Sequence, residues 1–307
     1  MKTSSIMSRA PQGHRQKARR MAVAAIILAA GLILALPVIA QDKPGDEAVW
    51  TTFIEWFKTA PLGGDPFTAY AAKLGREGVP DAEVERRLAT IARLFSVRPE
   101  GVEAYYDRIF SKPPTGNPAQ DAPSAPSDFV IEAAKGLKPG TALDLGTGQG
   151  RNAVYLARQG WDVTGLDISQ AGLNAAKENA ATAGVRIQTV KADYGSFEFG
   201  AEQWDLIVMD YAWAPVSEPD FVAKIERSLR PGGVILFEHF INNPNNPYAP
   251  MIRALGPNEL KNYFPGFEIL SYDEAEGKAD WGGPGSRIVR MLARKRPRAP
   301  DPLPPGE

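Results

Sequence analysis

Two hydrophobic periods divide this chain, and the change from one to the other marks its organisation. From Asp46 to Phe110 apolar residues recur every three or four positions. Trp50, Phe53, Ile54 and Phe57 form one stripe, Val84, Leu88, Ile91 and Phe95 a second behind an N-cap at Asp81, and Val102, Tyr105, Tyr106 and Ile109 a third. Such spacing predicts amphipathic helices whose stripes face a core. The competing reading is an aromatic box that grips a ligand; the helical core is the simpler of the two. Three short helices bury little surface by themselves, so a subdomain over 41–110 is expected to use a neighbouring domain as its partner.

Ser111 to Pro126 holds five prolines and no apolar period, which predicts an extended linker. Beyond it helices and strands alternate. A helix over Ser127–Gly136 precedes a strand at Ala142–Leu145, a helix at Asn152–Gln159 and a strand at Trp161–Leu166. A helix capped by Ser169 runs to Ala183, followed by strands at Val185–Val190 and Asp205–Met209. Pro219–Leu229 is helical, Arg230-Pro231-Gly232-Gly233 closes it, and Val234–Phe237 is the fifth strand. Asn258–Phe264 reads as a short helix, and Phe267–Tyr272 and Arg287–Ala293 alternate at period two, as a closing hairpin does. This order predicts an α/β domain over 127–296 with a doubly wound, mostly parallel sheet and right-handed crossovers. Only the step from the third to the fourth strand shows no helix. The proline-rich residues 297–307 are expected to be a disordered tail.

Charge and composition narrow the partners. The first twenty residues carry six positive charges and no acid, so the remainder carries −7 against −1 for the whole chain. A mildly acidic domain argues against a nucleic-acid substrate. With no cysteine and only His239 outside the basic leader, disulfides and cysteine- or histidine-rich metal sites are excluded, and no metal is expected. Met21 to Ala40 is an apolar run behind the basic segment, which predicts a secretory signal peptide or a retained membrane anchor over 1–40. The charge bias then places the rest outside the cytoplasm, exported or tethered, with that segment as the sole membrane contact.

The candidate chemistry lies in ALDLGTGQGRNAVYLARQGWDVTGLD, residues 142–167. A strand carrying Asp144 enters a turn with Gly146, Gly148 and Gly150, a helix follows, and the next strand ends on Asp167. Such a unit brings backbone close to a nucleoside ligand and offers a carboxylate to ribose hydroxyls. A dinucleotide fingerprint requires G-x-G-x-x-G, whereas here the spacing is G-x-G-x-G and Arg151 occupies the place of the third glycine.

The motif resembles motif I of the class I S-adenosylmethionine (SAM)-dependent methyltransferases, and the stretch Gly148–Ala157 is most similar to the tellurite-resistance and thiopurine-type small-molecule branch. The resemblance covers roughly 127–295. It implies a Rossmann-like methyltransferase fold, a seven-stranded sheet with an antiparallel last strand, plus the N-terminal helical subdomain as an addition. It also implies SAM as cosubstrate, held by Asp144, Gly146, Thr147, Gly148, Gln149, Gly150 and Asn152. Asp167 would take the ribose hydroxyls with Ile168 against adenine, and Asp193-Tyr194 would face the adenine amino group, although a plain surface acid at Asp193 stays open. Asp210 would border methionine and acceptor. Tyr211 and Trp213 are expected to shape an acceptor pocket.

SAM's sulfonium already activates its methyl group, so the protein chiefly orients the nucleophile and excludes water. A general base is needed only for a protonated acceptor. His239 is the candidate catalytic base and Tyr211 a second catalytic candidate; His239 as a hydrogen-bonded structural residue is the alternative. Asn242 to Tyr248 reads as a loop over the pocket mouth. The leading expectation is methyl transfer to a small-molecule acceptor. Methylation of a protein, an exported nucleoside-binding protein without turnover, and a dinucleotide oxidoreductase are the alternatives. Export conflicts with a cosubstrate made in the cytoplasm, and the sequence leaves that conflict open.

Overall fold

In the computed structural model, which describes residues 43–60, 66–95, 98–111, 124–241, 255–276, 279–280 and 286–297, the chain divides at Arg98/Pro99 into two compact units. The expected leader, most of the proline-rich linker, the loop at Asn242–Tyr248 and the tail from 298 lie outside the described residues. Among the described residues no helix is long and apolar enough to cross a membrane.

The first unit contains α1 (Asp46–Thr59), α2 (Pro66–Arg76) and α3 (Asp81–Phe95). The sequence reading missed α2, where Phe67, Tyr70 and Leu74 hold a helical spacing behind Pro66 at the first position. Aromatic rings dominate its core. Phe53 stacks on Phe57 at 5.4 Å between centroids and meets the edge of Tyr70 at 5.1 Å. Buried Asp46 accepts from the backbone N–H of Lys43 and pairs with Arg93, which together hold its carboxyl below the usual range against the cost of burial.

The second unit opens with α4 (Pro99–Phe110), the third expected amphipathic helix, which packs along α7 (Gln170–Thr182). Then follow α5 (Asp128–Ala134), β1 (Thr141–Leu145), α6 (Arg151–Arg158) and β2 (Asp162–Asp167). After α7 come β3 (Gln188–Lys191), β4 (Trp204–Asp210), α8 (Pro219–Ser228), β5 (Leu229–Phe240), β6 (Phe267–Glu276) and β7 (Arg287–Lys295). The seven strands lie in the order β3-β2-β1-β4-β5-β7-β6, and β7 alone runs antiparallel to its neighbours. The expected helix near 258–264 is a single 3₁₀ turn over Leu260–Tyr263.

Strand alternation builds two cores. Leu206 and Val208 of β4 point with Ala142 towards Val130, Ala153 and Leu156 on α5 and α6. Ile207 and Met209 point the other way with Leu143, towards Phe221 and Ile225 of α8. A strand apolar on both faces belongs at the centre of a covered parallel sheet. The order reverses between β1 and β4, and that switch point leaves a crevice at the carboxyl ends of the strands.

Candidate nucleoside-binding site

The crevice is a cavity of about 270 Å³. Its floor is the glycine loop. Gly146, Gly148 and Gly150 all take positive φ (65°, 53° and 80°), which bends the chain sharply out of β1 and into α6. At Gly148 a Cβ would lie 2.6 Å from the Phe110 ring, so only glycine lets α4 close onto the loop. Gly150 caps α6 from beneath, 2.9 Å from Ala176 by the same measure, and does not line the cavity.

Carboxylates brace this loop from below and behind. Asp144 is buried under it and accepts from Thr147 Oγ1 at 2.7 Å; burial pushes its carboxyl up to about 6. It supports the loop and does not line the cavity. Asp167 does line it. Oδ2 accepts from the Gly148 amide at 2.7 Å and Oδ1 from the Ser169 amide at 2.8 Å, while burial raises its pKa. Two backbone donors fix the carboxylate at the tip of β2, beside Ile168.

Asp193 and Tyr194 follow β3. Asp193 closes its own turn, accepting from the amides of Gly195 and Ser196 and from Ser196 Oγ, which keeps its carboxyl below the usual range. The Tyr194 hydroxyl donates to the carbonyl of Ala212 at 2.5 Å and ties the β3 end to the turn after β4.

That turn, Asp210-Tyr211-Ala212-Trp213, carries most of the remaining polarity. Arg151 and Asn152, in the first turn of α6, both donate to Asp210 Oδ2, at 2.6 and 2.7 Å. Arg151 also donates to Asp280 at 2.5 Å; burial opposes its charge, but the two carboxylates keep it protonated. Asp210 Oδ1 is buried and has no hydrogen-bond partner among the described residues. The Tyr211 hydroxyl turns away from the cavity and donates to Glu238 Oε1 at 2.7 Å; Glu238 Oε2 accepts from Arg290 Nε at the same distance. Tyr211 and Trp213 both hold left-handed φ, 53° and 54°, an unfavourable conformation for bulky side chains that recurs at functional sites.

His239 sits behind this turn, edge-on to Trp213 at 4.2 Å between ring centroids. It is 4% exposed, does not line the cavity, and burial lowers its pKa to about 3. The imidazole is therefore neutral and enclosed, the environment of a packed residue.

Of the residues that sequence reasoning nominated, the structure brings Gly146, Thr147, Gly148, Gln149, Asn152, Asp167, Ile168, Asp193, Tyr194, Asp210 and Tyr211 to one cavity, and leaves Asp144, Gly150 and His239 outside its lining. It adds Arg151 and a wall on α4 formed by Pro99, Val102, Tyr106 and Phe110, of which the sequence reading gave Val102 and Tyr106 to a core stripe. Asp107 anchors that wall, accepting from Ser169 Oγ at 2.6 Å and the Ala171 amide at 3.0 Å at the N-terminus of α7. Across the cavity stands Tyr106, whose pKa desolvation raises.

Comparison with known proteins agrees with this geometry. Residues 142–233 match the family profile described as a methyltransferase domain. A probable S-adenosyl-L-methionine-dependent methyltransferase TehB from Haemophilus influenzae (strain 10810) is 30% identical over 176 residues, covering 54% of this chain and 61% of that protein. A release factor glutamine methyltransferase from Neisseria gonorrhoeae is 32% identical over 52% of this chain and 57% of its own length. The chain thus spans about three fifths of the TehB relatives it matches. Among solved structures, the [4+2]-cyclase SpnF superposes with a TM-score of 0.51 at 21% identity, over 64% of this chain and 95% of that one. That likeness speaks to fold. Residues 142–233, which hold the glycine loop, Asp167 and the Asp210 turn, thus match a methyltransferase domain, and probable SAM-dependent methyltransferases are among the relatives of this chain.

Proposed function

We propose that the protein transfers a methyl group from SAM to a small-molecule acceptor. One observation carries this reading. The described wall of the cavity offers three aspartates (Asp167, Asp193 and Asp210) and a single arginine, and that arginine is already bound by two carboxylates. An acid-lined crevice attracts a sulfonium cation and repels a pyrophosphate. This weighs against a dinucleotide, as does Arg151 in the place of the third fingerprint glycine.

The donor supplies an electrophilic methyl group; the chain supplies the rest. Asp167 is oriented to receive paired hydroxyls, the loop amides and carbonyls from Gly146 to Gln149 are positioned beside it, and the α4 rings exclude water. The Asp210 turn borders the acceptor. A cavity closed by side chains on this scale suits a small acceptor. The glutamine methyltransferase relative supports a protein substrate as the second reading. The cyclase with the same fold is a reminder that fold alone does not define a reaction. From the basic segment and apolar run of 1–40 we further propose that the domain acts outside the cytoplasm or tethered to the membrane; fractionation of cells expressing the full chain tests this.

Calorimetry of the full chain with S-adenosylhomocysteine and with NAD tests the donor. Homocysteine-nucleoside binding without NAD binding is expected, with Asp167→Ala weakening it about 50-fold, the loss of two charge-assisted hydrogen bonds. Unaltered affinity in the variant would overturn the assignment. Labelled SAM offered with small molecules and with proteins separates the two acceptor readings, and binding without turnover on either would indicate a binding protein.

A further inference from the structure

Resting on the reading that the Asp210 turn borders the methyl acceptor, we infer that Glu238 is a positioning residue for that turn. It stays outside the cavity, and its contacts to Tyr211 hold the Tyr211 and Trp213 rings where they form the acceptor wall.

Stability alone is a poor reason for this carboxylate. Glu238 is fully buried behind the apolar run Val234–Phe237 of β5 and does not line the cavity. In register it lies between Asp210 on β4 and Arg290 on β7, so the three side chains stand in one row across the sheet. Arg290 Nε donates to Glu238 Oε2 at 2.7 Å, and the guanidinium lies over the Phe129 ring of α5 at 5.5 Å. In such a place an apolar pair of similar volume stabilises a fold as well as a buried ion pair, or better.

The turn that Glu238 holds does need fixing. Tyr211 and Trp213 both take left-handed φ, a costly backbone for bulky residues that persists only where the surroundings over-determine it. Tyr211 donates its backbone N–H to the Glu238 carbonyl at 2.8 Å and its hydroxyl to Glu238 Oε1 at 2.7 Å. One residue of β5 thus fixes both the backbone and the ring of Tyr211. Ring packing surrounds the same turn, Tyr211 against Phe240 at 4.8 Å and Trp213 edge-on to His239 at 4.2 Å. Packed rings can slide and rotate, whereas a hydrogen bond to a carboxylate pinned by Arg290 has a set direction. The cavity receives the result: Tyr211 and Trp213 line it, although the residue that orients them does not.

The test exchanges the ion pair for an apolar one, Glu238→Leu with Arg290→Met, in the full chain labelled with 5-fluorotryptophan. Of the resonances from the six tryptophans, that of Trp213 is identified by its loss in Trp213→Phe. In the apolar pair it is expected to move more than halfway towards its position in urea. The other resonances and the circular dichroism should stay as they were, and affinity for S-adenosylhomocysteine should change less than about tenfold. An unmoved Trp213 resonance overturns the inference, because Glu238 then serves stability alone. Equal movement of the other resonances overturns it too, as a general loosening of the fold. A loss of about tenfold or more in nucleoside affinity would give the turn to the donor and also overturn it. Should the apolar pair fail to fold, Tyr211→Phe decides. It removes only the hydroxyl, and it should move the Trp213 resonance in the same direction; no movement overturns the inference. An unsubstituted protein that does not bind the nucleoside would count against the donor reading, separately from the fluorine result.

Discussion

The two walls of the cavity are built on opposite principles. The sheet wall works through backbone: glycines in left-handed turns, amides that orient Asp167, and carboxylates beneath the loop. The α4 wall works through rings, Tyr106 and Phe110, on an ordinary amphipathic helix. Backbone geometry of the first kind restricts which residues are allowed and so leaves a readable mark. A ring on a helix face has the same i, i+4 spacing whether it meets a ligand or a core.

Three experiments probe that contrast. Gly148→Ala challenges the point where the walls touch: its φ of 53° is costly for alanine, and the new Cβ would meet the Phe110 ring. A loss of about 3 kcal/mol in urea unfolding is expected. Adding Phe110→Ala should recover the steric part and leave the backbone part; no recovery would show that the walls do not meet there. The second probe lies behind the sheet wall. His239 is neutral when folded, with its pKa lowered to about 3, and it titrates near 6.5 when unfolded. The unfolded chain therefore gains a proton as pH falls below 6.5 while the folded chain does not, so stability drops with acidification down to the folded value. Between pH 6.5 and 5 the loss approaches about 2 kcal/mol. Comparing the protein with His239→Phe at both pH values isolates it from Asp144 and Asp210, whose raised pKa values act in the opposite direction. Equal acid sensitivity in the two proteins would show that His239 is solvated. The smallest effect belongs to the helix wall: Tyr106→Ala should weaken S-adenosylhomocysteine binding about tenfold through lost ring contact, with circular dichroism unchanged. An effect as large as that of Asp167→Ala would dissolve the contrast between the walls.

The legibility of the chain follows the same line. The β1–β2 unit was readable because Asp144, the glycine spacing and Asp167 occur in an order that few folds require together. The unbroken apolar run of β4 identified a central strand for a similar reason, being apolar on both faces. Boundaries were less legible. Arg230-Pro231-Gly232-Gly233 reads as a helix stop, yet the strand begins at Leu229, and a register shift opposite Trp204 and Leu206 absorbs the irregularity. Arg151 was informative only as a missing glycine. Its bridge from Asp210 to Asp280 spans 129 residues to one end, a distance at which no local pattern speaks. The α4 lining was hidden by its own regularity, and Asp107, whose capping contacts lie on another helix, carried no local mark.

The position of β7 has a consequence for how the molecule is made. β5 has β4 on one side and β7 on the other, and β7 is formed by Arg287–Lys295, more than forty residues later in the chain. During synthesis the edge of β5 stays open until that late segment has left the ribosome, and an open apolar edge is a template for pairing with another molecule. Strands β1 to β5 can be in place while the sheet still lacks its seal, and β6, whose sheet neighbour is β7, waits with it. A nascent chain stalled before residue 287 is thus the species most in need of a chaperone.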